Sequence, residues 1–150
     1  MATKLTSAGD DVRTAAKALV LLNDGPRRGE LAELCVAMGW QLHDAGPESS
    51  CGPRQATYRV AELLGRADSP RRCVLVGYGE MGLAALAAAY RYPQRVTAVV
   101  AIDIPFDGAV RSDVAKLSCP VMVLPANDPG DVVAAVAWFL RKRAAPAYAD

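Results

Sequence analysis

Short apolar runs alternate with longer amphipathic segments along this 150-residue chain, and this alternation is the feature that most constrains its fold. Apolar runs that end at glycine, proline or polar residues are typical of buried strands. Runs that contain no alternating polar residue indicate strands covered on both faces of a sheet. The predicted strands cover residues 18–22, 40–43, 73–76, 96–104 and 121–124.

The segments between these strands place apolar residues at helical spacing. Gly39 follows the first of them as a predicted C-terminal cap, and Pro93 ends the third. Strands that alternate with helices build a parallel sheet with right-handed crossovers and helices on both faces. We therefore expect one α/β domain over residues 1–150, in which the polar residues 1–14 are loose. The predicted helices cover residues 29–38, 56–64, 80–92, 107–117 and 131–143.

Composition excludes several classes of function. Hydrophobic residues make up 52% of the chain and charged residues 22%, which is enough apolar material for a packed core. The 17 basic and 16 acidic residues nearly balance, whereas a nonspecific nucleic-acid binder needs a basic face. No apolar run approaches the ~20 residues of a membrane span, and the N-terminus lacks the apolar core of a signal peptide. We therefore expect a cytoplasmic protein without nucleic-acid or membrane partners.

The chain has one histidine, His43, and four cysteines. A single histidine excludes a metal site built from several, and no two cysteines stand in Cys-x-x-Cys spacing. We therefore predict no metal and no bound cofactor. His43 is interpreted as a structural hydrogen-bonding residue, with a catalytic pairing to the exposed thiol of Cys51 as the alternative. The other three cysteines are interpreted as small buried hydrophobic residues: Cys35, Cys73 and Cys119.

The loop after the third predicted strand has the spacing of a dinucleotide-binding fingerprint, Gly77-Tyr78-Gly79-Glu80-Met81-Gly82. Such glycines let a pyrophosphate approach the backbone at a helix N-terminus, and Asp103, at the end of the next strand, can hold a ribose hydroxyl. Against this, the loop follows the third strand rather than the first, and Glu80 would place a carboxylate beside the pyrophosphate. Dinucleotide binding through Gly77, Gly79 and Gly82 is therefore the lesser alternative.

A longer stretch, from Val74 to Asp103, resembles the centre of the α/β-hydrolase family. In that family a buried strand enters a sharp turn called the nucleophile elbow, and a helix of small residues, a Pro-x-Arg-Val turn and another buried strand follow. Here Pro93-Gln94-Arg95-Val96 matches the turn. Residues 19–25 are similar to the strand and loop that carry the family's His-Gly oxyanion segment, and residues 118–128 to those that carry its catalytic acid. The resemblance covers roughly residues 17–143.

This resemblance implies a five-stranded parallel sheet with the strand order second-first-third-fourth-fifth. The order then reverses between the first and third strands. Ligand sites in such sheets lie at the carboxyl ends of the strands, where the order reverses. The expected ligand site is therefore between the elbow loop, residues 77–82, and the loop Asn23-Asp24-Gly25.

The chain departs from the family at the positions that carry hydrolysis. Gly79 stands where the elbow has its serine nucleophile, and Met81 replaces an elbow glycine. Asn23-Asp24 replaces His-Gly, no histidine follows His43, and only the acid position, Asp128, matches. The family's last strand and lid are also expected to be missing or reduced. Because nucleophile and base act as a unit, we predict that the chain does not hydrolyse esters by the serine mechanism.

Two carboxylates near the expected site are the candidate catalytic groups. Glu80 begins the helix after the elbow, where it acts either as a general base or as a charge partner of the helix dipole. Asp128 is either a retained acid or a turn residue, and Asp103 either lines the pocket or caps the turn that follows it. The candidate ligand-binding residues are Asn23, Asp24, Gly25, Tyr78, Gly79, Met81 and Asp103.

The sequence leaves two main functions open. The first is a non-hydrolytic enzyme in which Glu80 or Asp128, with the elbow amides, directs a proton transfer, elimination or ring closure on a small molecule. The second is a ligand-binding or interaction protein whose cleft performs no reaction. A last strand that is apolar on both faces also invites pairing with another chain. We therefore expect a homodimer, formed through residues 121–124 or through the last helix with Trp138 and Phe139.

Overall fold

The computed structural model describes residues 18–22, 28–44, 53–66, 70–125 and 129–142. In chain order the elements are β1 (Ala18–Leu22), α1 (Arg28–Ala37), β2 (Gln41–Asp44), α2 (Pro53–Gly65), β3 (Cys73–Tyr78), α3 (Glu80–Arg91), β4 (Val96–Ile102), α4 (Gly108–Ala115), β5 (Val121–Leu124) and α5 (Pro129–Lys142). The strands form one five-stranded sheet in the order β2-β1-β3-β4-β5, and every pair is parallel. The predicted strand order is confirmed.

Side chains of the sheet divide between two core clusters, one on each face. Alternate residues such as Val20 and Leu75 pack with α2 and α3 on the first face. Their neighbours, such as Leu19 and Val76, pack with α1 and α5 on the second face. Every residue of β1 and of β3 is buried. Helices therefore cover the central strands on both faces, as continuous apolar runs predict.

The helix α3 lies against the sheet through small side chains. Alanine favours the helical conformation, and its single methyl group allows close approach to a neighbouring strand. The buried alanines of α3 are Ala84, Ala85, Ala88 and Ala89. Across the described segments, no helix combines the length and the apolar character needed to span a bilayer.

Gly39 ends α1 in the left-handed region, with φ of +83°. Its N–H donates to the carbonyl oxygen of Val36 at 3.0 Å, and the N–H of Trp40 donates to that of Cys35 at 2.9 Å. This pair of bonds is the Schellman arrangement, which satisfies carbonyl groups at the end of a helix. The predicted cap at Gly39 is confirmed.

The strand β2 lies one residue later than predicted, at Gln41–Asp44 rather than at residues 40–43. The predicted ends of β3 and β4 are also wrong. β3 continues two residues beyond Val76, because Gly77 and Tyr78 pair with the end of β4. β4 ends at Ile102 rather than at residue 104, because Asp103 has φ of +58° and turns the chain out of the sheet. The corrections to β3 and β4 both fall at the carboxyl edge, where the sequence analysis places the ligand site.

The strand β5 is less covered than the centre of the sheet. Within the described part of the chain it pairs with β4 alone. Its four residues are all half-buried, and α4, which precedes it, has no buried residue. The described fold therefore buries the apolar side chains of residues 121–124 only in part.

Candidate ligand site at the elbow

The turn between β3 and α3 is a sharp bend centred on Gly79. This residue has φ of +55° and ψ of −125°, a conformation that side chains with a Cβ rarely adopt. Its N–H donates to the carbonyl oxygen of Ile102 at 2.8 Å. Its own carbonyl oxygen accepts from the N–H of Gly82 at 2.9 Å and from that of Leu83 at 3.1 Å. Backbone hydrogen bonds therefore hold the strand-to-helix turn on both sides.

The glycines on either side of the bend allow the chain to pack closely. A Cβ at Gly77 would lie 2.6 Å from the carbonyl oxygen of Met81. A Cβ at Gly82 would lie 2.8 Å from Cγ2 of Ile104 and 3.0 Å from the carbonyl oxygen of Gly77. The distances of 2.6 Å and 2.8 Å are shorter than a Cβ tolerates. A larger residue at position 77 or 82 would therefore push these neighbours away. Packing thus accounts for two of the three glycines in the fingerprint-like loop.

Gly79 differs from its two neighbours because it faces open space. Apart from Gly79 itself and its two chain neighbours, no described residue has an atom within 4 Å of the position that its Cβ would occupy. The resemblance places the family's nucleophile at this residue. The bend therefore leaves room for a side chain at position 79, where the sequence has glycine.

The side chains of Tyr78, Glu80 and Met81, between these glycines, lie in three different environments. Tyr78 is 7% exposed and packs in the cluster on the second face, whereas Met81 is 3% exposed and packs in the cluster on the first face. Glu80, the first residue of α3, is exposed. Of the predicted side chains in this loop, Glu80 is thus the one that reaches solvent at the carboxyl edge.

Asp103 follows β4 at the same edge and is exposed. Its N–H donates to the carbonyl oxygen of Leu124 at 2.9 Å, which places it between the elbow and the end of β5. The side chain that caps the next helix is that of Asp107, which accepts from the N–H of Val110 at 2.9 Å. Asp107 is therefore the cap of α4. Asp103 remains a solvent-facing carboxylate with a left-handed backbone.

His43 lies far from the elbow. β1 separates β2 from β3, so His43 is about 10 Å from β3 across the sheet. Both His43 and Leu75 pair with Val20, so they lie at the same level of the sheet. Gly79 is four residues after Leu75, which adds about 13 Å along the strand direction. The imidazole Nε2 is buried and has no hydrogen-bond partner among the described residues. His43 is therefore not positioned to act as a base for a group bound at Gly79.

The described cysteines are poor nucleophiles. Burial raises the pKa of the Cys35 thiol to about 11. Burial raises the pKa of the Cys73 thiol to about 12, although the nearby Arg95 guanidinium opposes this. Burial also raises the pKa of the half-buried Cys119. All three thiols stay protonated at neutral pH. The predicted burial is confirmed for Cys35 and Cys73 and is wrong for Cys119, which is half-buried.

Several predicted site residues lie outside the described residues. These are Asn23, Asp24, Gly25 and Asp128, together with Cys51. Within the described segments, no group of three or more His, Cys, Asp or Glu side chains is arranged to hold a metal ion.

The side chains of Phe106 and Arg111 form a contact that was not predicted from the sequence. The Arg111 guanidinium carbon lies 5.2 Å from the centre of the Phe106 ring, at the start of α4. Phe106 is 41% exposed, and Arg111 is exposed as well. The pattern that could have predicted this contact is Phe106 directly before the capping Asp107, with the long side chain of Arg111 five positions after Phe106.

Comparison with known proteins gives a distant likeness. No family model and no curated protein matches the chain. The structure is similar to the crystal structure of a novel pyrethroid hydrolase from Sphingobium faniae JZ-2, with 20% sequence identity and a TM-score of 0.39. It is also similar to that of a histidine-to-alanine variant of PytH, with 21% identity and a TM-score of 0.39. Each match covers 59% of this chain and 40% of the other. At this level of similarity the neighbours carry no argument about the site.

Proposed function

We propose that the protein binds an oxygen-rich small molecule at the elbow and acts on it without a covalent intermediate. A carbonyl or carboxylate oxygen of the ligand occupies the space above Gly79. Glu80 then directs a proton transfer, an elimination or a ring closure. The observation that supports this most strongly is the open space at Gly79, at the exposed point of a turn that backbone hydrogen bonds hold in place.

The start of α3 supplies the chemistry that such an oxygen needs. The first N–H groups of a helix lack acceptors one turn earlier, and the helix dipole places partial positive charge there. In α3 the N–H of Gly82 already donates to the carbonyl oxygen of Gly79, so the N–H of Glu80 is the donor proposed for the ligand. An oxygen that accepts from these groups is stabilised, more so when it gains negative charge. Backbone atoms provide this interaction, and the ligand oxygen needs the space at position 79 to stay open.

The absence of a side chain at Gly79 determines the type of reaction. No covalent bond to the ligand can form at this position, and His43 is too distant to activate a water molecule there. Glu80 starts the same helix and its carboxylate is exposed. Glu80 is therefore the acid–base group that lies nearest in sequence to the bound oxygen, and it reaches the ligand from the solvent side.

The exposure of Glu80 also favours a second function, which is binding without turnover. A general base gains strength when burial shields it from water, and no described residue buries Glu80. In this alternative the elbow holds the ligand and Glu80 is a charge partner of the helix dipole. Dinucleotide binding has less support, because packing accounts for Gly77 and Gly82.

An NMR titration with phenylacetamide, a small neutral carbonyl compound, tests the elbow site. We expect millimolar phenylacetamide to shift the amide signals of Gly79 and Glu80, because its oxygen accepts from N–H groups at the start of α3. Gly79→Ala places a methyl group in the open space and should abolish these shifts. Gly39→Ala is the matched control, since Gly39 also has positive φ and open space around its Cβ position. Equal shifts in both variants would contradict the proposal.

A second comparison separates the two functions. If the protein is an enzyme, Glu80→Gln should bind the same compounds as the wild-type protein and lose turnover of any substrate that a metabolite screen identifies. Unchanged turnover would remove Glu80 from the mechanism. Serine-directed covalent probes should label neither protein.

A further inference from the structure

The pair formed by Phe106 and Arg111 stands at the carboxyl edge of the sheet. The helix α4 follows β4, so its first turn, which carries Arg111, begins at the edge where the elbow also lies. The guanidinium group lies over the Phe106 ring, at 5.2 Å from its centre. A guanidinium over an aromatic face is held in position while its N–H groups stay available.

The loop that carries Phe106 begins at the elbow. The carbonyl oxygen of Ile102 accepts the hydrogen bond from Gly79. Ile104 then packs on the first turn of α3, with its Cγ2 near the point where a Cβ at Gly82 would stand. Phe106 follows two residues later, so its Cα lies within about 7.6 Å of that of Ile104. The Phe106–Arg111 pair therefore follows the loop that contacts the first turn of α3, at the same edge of the sheet as the elbow.

Arg111 has no carboxylate partner in the described part of the chain. Its recorded contacts are the Phe106 ring and the backbone hydrogen bond from its N–H to the carbonyl oxygen of Asp107. The Asp107 carboxylate is used by the N–H of Val110. An exposed guanidinium that is held in place and lacks a partner is suited to bind an anionic oxygen group.

We propose that Arg111, held by Phe106, selects ligands in which the oxygen group bound at Gly79 is a carboxylate. This proposal rests on the elbow function proposed above and names its ligand class as small carboxylic acids. A purely structural role is the competing explanation. Packing of a residue before a helix cap against one in the first turn fixes the path of the chain into the helix, and it would affect stability without affecting ligand choice.

The chain contains a matched control for this interaction. Arg91 lies over the ring of Tyr92 at 5.7 Å, which is the same kind of contact. Arg91 is the last residue of α3, and α3 starts at the elbow. The Arg91–Tyr92 pair therefore lies at the opposite edge of the sheet from the site, and loss of its charge should not affect the ligand.

Parallel titrations with phenylacetate and phenylacetamide test the proposal in the wild-type protein, Arg111→Gln and Arg91→Gln. The two probes share a ring and a carbonyl carbon and differ in charge. We expect the wild-type protein to bind phenylacetate about fivefold more tightly, the ratio expected for one exposed ion pair. Arg111→Gln should remove this preference, with phenylacetamide binding and the unfolding temperature unchanged, and Arg91→Gln should retain it.

The outcomes distinguish the two proposals. If Arg111→Gln keeps the preference for phenylacetate, or if the wild-type protein has none, the role of Arg111 is wrong while binding of phenylacetamide at Gly79 still supports the elbow site. If neither probe shifts the signals of Gly79 and Glu80, the elbow site itself is wrong. If Arg111→Gln lowers the unfolding temperature and weakens both probes equally, the pair has the structural role alone.

Discussion

The N–H of Gly79 donates a 2.8 Å hydrogen bond to the carbonyl oxygen of Ile102, which joins the elbow to the end of β4. This bond is made by backbone atoms alone, so it does not depend on which side chain stands at position 79. The same turn needs glycine at positions 77 and 82, for steric reasons. Backbone hydrogen bonds and the close packing at Gly77 and Gly82 therefore hold the elbow in shape.

Gly77→Ala should destabilise the protein more than Gly79→Ala. The new methyl group at position 77 would meet the carbonyl oxygen of Met81 at 2.6 Å, and backbone cannot move away easily. We expect a loss of about 3 kcal/mol, the upper range for overpacking. Gly79→Ala meets no atom and should cost about 1 kcal/mol, from its left-handed backbone. Urea unfolding of both variants checks the order, and equal stabilities would contradict the role given to Gly77.

Asp103→Gly should stabilise the fold. Asp103 has φ of +58°, and relief of this strain is worth about 1–2 kcal/mol. The greater freedom of glycine in the unfolded chain offsets about 0.4–1 kcal/mol of this gain. We therefore expect a net gain of about 0.5 kcal/mol. Asp113→Gly in α4 is the comparison and should instead cost about 0.3 kcal/mol, because glycine has a slightly lower helix propensity than aspartate. Destabilisation by Asp103→Gly would show that its carboxylate has a structural partner.

Arg95→Ala should destabilise the amino edge of the sheet. The Arg95 guanidinium donates from Nε to the carbonyl oxygen of Arg71 at 2.8 Å and from Nη2 to that of Pro70 at 2.9 Å. Loss of these charge-assisted bonds should cost about 2 kcal/mol. Arg72→Ala, at an exposed position in the same segment, should change the free energy of unfolding by less than about 0.5 kcal/mol. Similar values for the two variants would show that the Arg95 bonds contribute no net stability.

The buried thiols should make the fold sensitive to high pH. Burial raises the pKa of Cys35 to about 11 and that of Cys73 to about 12, above the ordinary value of 9.0. The folded state thus keeps protons that the unfolded state loses, so this contribution is complete below pH 9 and is lost as the pH rises through the folded pKa values.

The double variant Cys35→Ala/Cys73→Ala isolates this effect. Its free energy of unfolding should fall less steeply than that of the wild-type protein between pH 9 and pH 11. Each thiol accounts for at most about 1.4 kcal/mol per pH unit of the difference. Parallel pH profiles for the two proteins would contradict the burial of the thiols.

The half-covered strand β5 supports the proposal of a homodimer. Its four apolar residues are all half-buried, and within the described residues one side of the strand has no partner. We expect light scattering at ~10 µM, a concentration that favours weak association, to give the mass of a dimer. Val123→Lys should shift it toward the monomer, because charge at a strand edge opposes pairing. A monomeric wild-type protein under these conditions would contradict the proposal.

The fold was largely predictable because its signals are local. Apolar runs marked β1 and β5 at their observed bounds, and Gly39 marked the end of α1 through its backbone freedom. The end of β4 was not predictable, since the left-handed turn of Asp103 is uncommon for a residue with a side chain.

The bend at the proposed site was predictable from the sequence, and the surroundings of its side chains were less so. The resemblance indicated Gly79 as the empty nucleophile position, and the structure has a bend with open space there. The burial of Tyr78 and Met81 on opposite faces depends on how far β3 extends, which the run of apolar residues does not reveal. The contact between Phe106 and Arg111 depends on where α4 begins, and neither residue belongs to a motif that the sequence analysis used.

The most direct test of the elbow site is a crystal structure of the protein soaked with phenylacetamide. We predict electron density in the space above Gly79, with the amide oxygen of the ligand about 2.9 Å from a backbone nitrogen at the start of α3. The same soak of Gly79→Ala should show no density there, whereas Gly39→Ala should show it unchanged. Ligand density elsewhere on the molecule, with none above Gly79 in the wild-type protein, would contradict the proposed site.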